Sequence, residues 1–356
     1  MLEFLKGFAR QCQQAWELRT ETPIPRNYRQ AKQILCTGLG GSAIGADLVC
    51  SLLSKELLLP MGVNRHYTLP KFIGPQTLVA ACSYSGNTEE TLSAYQQARR
   101  AKAKLMAICS GGELAQLAQR HQIPWIKIPE GFPPRAALGY STLPLLRVFQ
   151  EEGWVRDHST QVRETITELS KMYDALHPEI PESKNQAKKI TKRLVGRFPI
   201  IYGSSDTLSA VVTRWRGQFN ENSKTLASSH VLPEMNHNEI VGWEHPMDLI
   251  KYCAVIFLRD SQDHPRVQTR IKLTQRIIQD LQVPILEAWT QGKSLLTRIF
   301  SLVYLGDFVS YYLALENRVD PIPVEKVAYL KRELARGTRN QKKRILLVSA
   351  KRSEGL

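Results

Sequence analysis

From Gln33 onward, short apolar runs alternate with longer stretches whose apolar residues recur at helical spacing. The runs Gln33–Thr37, Met61–Asn64, Thr77–Cys82, Leu105–Cys109 and Trp125–Ile128 have the length and composition of buried strands. Ala43–Ser54, Glu89–Lys102, Glu113–His121 and Ala137–Gln150 have the spacing of helices. Strands alternating with helices predict a parallel sheet covered by helices. Residues 151–197 are polar and helix-rich, are interrupted at Pro178 and Pro181, and read as a connector. The pattern then restarts. Phe198–Ser205 is a strand running into a small-residue turn, and Thr207–Phe219 is a helix. Tyr252–Leu258 and Val283–Leu286 are further strands, and His264–Leu281 and Ser294–Leu315 further helices. The predicted fold class is α/β: two αβα sandwich units with parallel sheets, divided as 1–152 and 153–336, with a basic tail over 337–356.

Bulk properties narrow the class. A chain of 356 residues, 43% hydrophobic and 23% charged, has the size for two ordinary domains and the balance of a soluble globular protein. It shows no uninterrupted apolar run of about 18 residues, so no membrane span is expected. The N-terminal segment MLEFLKGFARQCQQAWELR has amphipathic helical spacing and lacks the long apolar region and small-residue cleavage site of a secretory signal. Cys12, Cys36, Cys50, Cys82, Cys109 and Cys253 are scattered without a CxxC pair, which predicts reduced thiols in a cytoplasmic protein. The net charge of +15 raises nucleic acid as a partner. Much of the excess is peripheral, in Lys184–Arg197 and in Lys331–Arg352, where Glu333 is the single acid. Nucleic acid is therefore not the expected partner.

Chemistry concentrates where two strands of the first unit end. One runs into Gly38-Leu39-Gly40-Gly41-Ser42, the other into Ser83-Tyr84-Ser85-Gly86-Asn87-Thr88. Each turn opens a helix, so hydroxyls and free N–H groups meet at the positive end of a helix dipole, an arrangement that suits a phosphate. Two such turns point to a small phosphorylated ligand. Gly38, Gly40 and Ala43 also fit the glycine pattern of dinucleotide sites. The next strand, however, runs into Asn64 and Arg65 rather than into an acid for a ribose hydroxyl, which disfavours a nicotinamide cofactor. A tight turn with no ligand is the plainer alternative.

These two turns are similar to the signature of the sugar-isomerase (SIS) domain, and the likeness extends along the chain. Gly131-Phe132-Pro133-Pro134-Arg135-Ala136-Ala137, Phe219-Asn220-Glu221-Asn222 and the stretch from Leu232 to Trp243 follow in order, after an N-terminal FLKGFARQ helix. Together they resemble the bifunctional phosphoglucose/phosphomannose isomerases. The resemblance implies two SIS-type units and interconversion of glucose 6-phosphate with fructose 6-phosphate, with mannose 6-phosphate as well, in a homodimer that needs no cofactor. Such chemistry must anchor the phosphate, open the ring, move a proton between C2 and C1 and stabilise an enediolate. Gly41, Ser42, Ser83, Ser85 and Thr88 are the implied phosphate-binding residues. Arg135, after two prolines, would face the developing negative charge; a surface arginine capping the next segment is its alternative. Glu221, at the end of a helix, is the expected base, for which partial burial is favourable. The resemblance assigns His237 to ring opening from the neighbouring subunit, and a histidine suits that proton transfer near neutral pH. It also implies a C-terminal lysine, with Lys331 preferred to Lys326.

A metal site from His237, Glu239, Glu244 and His245 is the competing use of that polar knot, although its spacing matches no common ligand set. Ile322 and Val324 stand where the dual-specificity enzymes carry a threonine linked to mannose 6-phosphate turnover. A sugar-phosphate-sensing regulator is the alternative from another class. Such proteins carry a helix-turn-helix domain ahead of the first sheet, and the stretch before Gln33 is too short for one.

Overall fold

The computed structural model describes residues 1–334 and 336; the predicted basic tail over 337–356 lies outside the described residues. Two helices open the chain, α1 (Leu2–Lys6) and α2 (Phe8–Glu17). The first sheet and its helices follow as β1 (Gln33–Thr37), α3 (Gly40–Leu53), β2 (Met61–Asn64), β3 (Thr77–Cys82), α4 (Glu89–Arg100), β4 (Lys104–Cys109), α5 (Gly112–Arg120), β5 (Trp125–Lys127) and α6 (Leu138–Glu151). Next come α7 (Ser159–Leu176) and α8 (Gln186–Leu194). The second sheet is built from β6 (Phe198–Ser204), α9 (Ser209–Glu221), β7 (Ser228–Leu232), α10 (Met247–Ile250), β8 (Cys253–Arg259), α11 (Pro265–Gln279) and β9 (Ile285–Trp289), before α12 (Leu295–Glu316). Both sheets are parallel throughout, in the orders β2-β1-β3-β4-β5 and β7-β6-β8-β9.

Alternate residues along the central strands serve different cores, as the two-residue period of a strand requires. On β3, Leu78, Ala80 and Cys82 face the core between the sheets, while Val79 and Ala81 face the outer core under α4 and α5. On β8, Ala254, Ile256 and Leu258 point inward, and Cys253, Val255 and Phe257 face the outer core that α11 covers. The inner layer of α2, α3, α6, α7, α8, α9 and α12 packs as one block, so one apolar cluster runs from the first sheet to the second.

Two expectations change. Residues 151–197 do more than connect, because α7 packs against α2 and α12, and α8 packs against α12. The edge strand β7 (SSHVL) was absent from the sequence reading: it pairs only with β6 and is mostly half-buried, so it carries no apolar run. By length and composition α12 could cross a membrane, but 83% of its most apolar window is buried in the protein, and its Arg298 and Asp307 are held in ion pairs.

The N-terminal helices α1 and α2 tie the halves together. Phe8 stacks on Phe300 of α12 with ring centroids 6.0 Å apart, and the Tyr304 hydroxyl donates to the Leu5 carbonyl at 2.7 Å. Phe8→Ala should lower the unfolding free energy by about 3 kcal/mol, the usual cost of emptying a buried aromatic site, read from urea denaturation. A loss below about 1 kcal/mol would mean that this contact does not brace the two halves.

Candidate active site

Sheet order decides where a ligand can sit. In the first sheet the chain moves outward from β1 to β2, then returns to place β3 on the opposite side of β1. The turns after β1 and β3 therefore diverge, leaving a crevice at the carboxyl ends of the strands, the usual place for a ligand in such a sheet. The two turns touch: a Cβ on Gly38 would lie 2.7 Å from the Cys82 carbonyl oxygen. The Ser42 hydroxyl accepts from the Tyr84 N–H at 3.2 Å, the Ser83 and Thr88 hydroxyls are 2.8 Å apart, and Ser85 Oγ accepts from the Asn87 N–H at 3.3 Å. Among the described residues no side chain caps the start of α3 or α4, so both helices present open N–H groups here. Gly86 has φ +69°, and a side chain there would collide with the Gly111 backbone, so glycine is required.

The second sheet repeats the geometry with opposite chemistry. Its corresponding crevice, between β6 and β8, holds carboxylates. Asp263 accepts from the Asp260 N–H at 3.1 Å, and Asp260 pairs with Arg298 at 3.0 Å and accepts from the Gln262 N–H at 3.0 Å. Burial pushes the Asp263 carboxyl upward, against hydrogen bonds from Ser204 and from the Asp260 backbone.

Arg135 lies between the halves, on a single 3-10 turn (Pro134–Ala136), and is only 4% exposed. Its Nε donates to Asn222 Oδ1 at 2.6 Å, and its Nη2 donates to the Ile322 carbonyl at 2.8 Å and to the Pro321 carbonyl. Its Nη1 faces Glu221, the last residue of α9, at 3.6 Å. Burial lowers the guanidinium pKa and Glu221 opposes that, but an arginine stays charged. The backbone is fixed as firmly. Arg214 donates to the Arg135 carbonyl at 3.0 Å, and buried Gln11 of α2 bonds the Ala136 carbonyl and the Gly139 N–H, both at 2.8 Å. Gly41 lets α3 approach this turn, since a Cβ there would stand 2.6 Å from the Pro134 carbonyl oxygen.

A cleft of about 530 Å³ between α3 and α9 is lined by Gly41, Arg135 and Glu221, with Arg65, Arg214 and Arg216 further along. The Glu221 side chain is partly buried at its rim, 41% exposed. His237 does not line this cleft: it is exposed at the end of the 3-10 turn Glu234–His237. Its neighbour Glu239 accepts from the Tyr202 hydroxyl at 2.5 Å. Among the described residues no three His, Cys, Asp or Glu side chains gather to share an ion. Lys331 and Lys326 are both exposed on the helical residues 325–334.

The buried network behind Arg135 was missed. Asp307 accepts from Arg214 at 2.8 and 2.9 Å and from Gln218 at 2.6 Å, and Asn222 donates to Ser310 at 2.9 Å. Its signal was present: Arg214, Gln218 and Asn222 recur every four residues along α9 and its C-cap, and Asp307 interrupts the apolar α12.

Comparisons with known proteins give the family and the fold. Residues 183–334 match the family model described as the bacterial phospho-glucose isomerase C-terminal SIS domain. A bifunctional phosphoglucose/phosphomannose isomerase of Caldicellulosiruptor bescii is 42% identical over 94% of this chain and 99% of its own length. The chain belongs to this isomerase family. A second family member, from Aquifex aeolicus, is 34% identical over 93% of this chain and 97% of its own length. The fold recurs in the crystal structure of a hypothetical protein from Thermus thermophilus, with a TM-score of 0.71 at 16% identity, covering 94% of this chain and 88% of that one.

Asp307→Ala should cost about 3–5 kcal/mol, because it strands the Arg214 guanidinium in the core. Urea denaturation measures this; a loss under about 1 kcal/mol would show that the Arg214–Asp307 pair does not hold the Arg135 turn in place.

Proposed function

We propose that this chain interconverts glucose 6-phosphate and fructose 6-phosphate, and mannose 6-phosphate as well, by moving a proton between C2 and C1 through a cis-enediolate. Family membership supports the substrate class. The observation that carries the reaction type is a buried, immobilised arginine whose Nη1 faces a carboxylate in a cleft between the halves.

In this reading Gly41, Ser42, Ser83, Ser85 and Thr88 anchor the phosphate at the crevice of the first sheet. The Glu221 carboxylate takes the C2 proton of the open aldose and returns it to C1. The guanidinium of Arg135 needs no reorganisation as charge develops on the enediolate oxygens, which makes its stabilisation effective. His237 reaches the site from a second copy of the chain and, with Lys331, opens the ring. The protein then works as a homodimer, and its exposed His237 turn is consistent with that arrangement. Proton transfer of this kind needs no metal or organic cofactor. The two SIS-type units divide near residue 152, and the six free cysteines suit a cytoplasmic enzyme. Ile322 approaches Arg135 through its carbonyl, so one of the two positions, Ile322 and Val324, at which this chain departs from the dual-specificity pattern lies beside the proposed chemistry.

A coupled assay with fructose 6-phosphate tests the reading. Glu221→Gln should lower kcat by about a thousandfold and Arg135→Lys by about a hundredfold, with KM changed far less. Chelator should leave the rate unchanged. Full activity in Glu221→Gln would refute the base assignment, and no turnover by the wild type would refute the function.

A further inference from the structure

Neither the proposed reaction nor the motifs named in the sequence use Lys224, yet it sits where three parts of the site meet. It follows α9 with φ +54°, a left-handed conformation uncommon for a residue with a side chain. Its ammonium donates to the carbonyl of Glu221 at 2.7 Å and to that of Pro323 at 2.8 Å. The segment it reaches, residues 317–323, runs from the end of α12 to the helical residues 325–334. Other stitches hold the same strap. Asn317 donates to the Ser223 carbonyl at 3.0 Å and to the Thr225 hydroxyl at 2.9 Å, and Asp320 accepts from the Ile322 N–H at 2.8 Å.

Both Nη2 bonds of Arg135 end on this strap, at Pro321 and Ile322. With Nε held by Asn222, the orientation of the guanidinium depends on where the strap lies, and Lys224 holds the far end of the strap. Pro323 has no backbone N–H, so it cannot add a donor of its own to the joint. A cation at the carboxyl end of a helix is also favourably placed against the helix dipole.

We infer that Lys224 is a positioning residue for the isomerisation, pinning the strap 317–323 to the catalytic end of α9 and thereby aiming Arg135. The inference rests on the proposed function for its kinetic consequence only.

The test uses the full-length protein with Lys224→Met, which keeps the stem and removes the donor, Lys224→Gly, which relieves the backbone and removes the donor, and Lys224→Arg, which keeps a donor. Fructose 6-phosphate kinetics and amide hydrogen exchange of peptides covering 317–334 are measured together. The Met and Gly variants should lose roughly tenfold in kcat with KM within about twofold, and should exchange faster in 317–334 alone. The Arg variant should retain most of both properties. Wild-type behaviour in Lys224→Gly would overturn the inference, because the residue would then matter only through its backbone. Lower kcat with unchanged exchange would also overturn it, in favour of direct contact with the substrate. Faster exchange with unchanged kcat would show that the pin does not aim Arg135. Failure of the wild type to turn over sugar phosphate would sink the proposed function instead, leaving the exchange measurement to decide whether the pin exists.

Discussion

Everything around the cleft follows from burying one permanent positive charge. A guanidinium taken out of water needs an acceptor for its N–H groups, or the desolvation penalty is severe. Arg135 meets that demand with Asn222 at the end of α9, two carbonyls of the strap after α12 and the Glu221 carboxylate. These partners lie 86 to 187 positions away in sequence, so satisfying the charge fixes the mutual placement of the two halves. A second buried pair, Arg214–Asp307, sits directly behind and holds the Arg135 carbonyl. Breaking one partner of such a pair costs far more than the pair contributes, so the network acts as a constraint on geometry more than as a source of stability.

The inner helical layer makes that constraint rigid. Because the apolar cluster between the sheets is continuous, the halves have no separate cores on their facing sides. A site built at this junction inherits the stiffness of a close-packed interior, although its residues come from a short turn, a helix end and a strap. Gln11 extends the same logic to the start of the chain. Its amide spans the Ala136 carbonyl and the Gly139 N–H, which ties α2 to the loop that presents Arg135.

Much of this was legible in the sequence, for reasons that can be named. The strands of both sheets stood out because central parallel strands are buried on both faces and read as apolar runs, as in Thr77–Cys82. β7 did not stand out, because an edge strand with one neighbour has no such need, and β9 lies further along than the predicted Val283–Leu286 because Val283 and Pro284 precede the ladder. Arg135 was singled out through the family resemblance, whereas the hydroxyl turns were readable from local chemistry. The strap's grip on Arg135 was not, since main-chain carbonyls carry no sequence signature. The depth of Glu221 was not readable in the same way: the end of a helix can point to solvent or to a core, and the packing of α3 against α9 leaves this one partly buried.

The two crevices show how one architecture can be given a direction. Both sheets reverse their strand order at the same relative position, so both offer a place where backbone N–H groups converge. In the first the turn residues are hydroxyls and glycines, and the N–H groups stay open to an anion. In the second, Asp260 and Asp263 take local backbone donors for themselves, and Asp260 is already paired with Arg298. An incoming phosphate would meet open donors at one crevice and donors already taken by carboxylates at the other, a difference that matters most in a partly buried site. On the proposed chemistry that asymmetry orients the substrate: its phosphate is drawn to the first sheet, and the carbons to be isomerised are left beside Arg135 and Glu221, where the second half of the chain contributes the base.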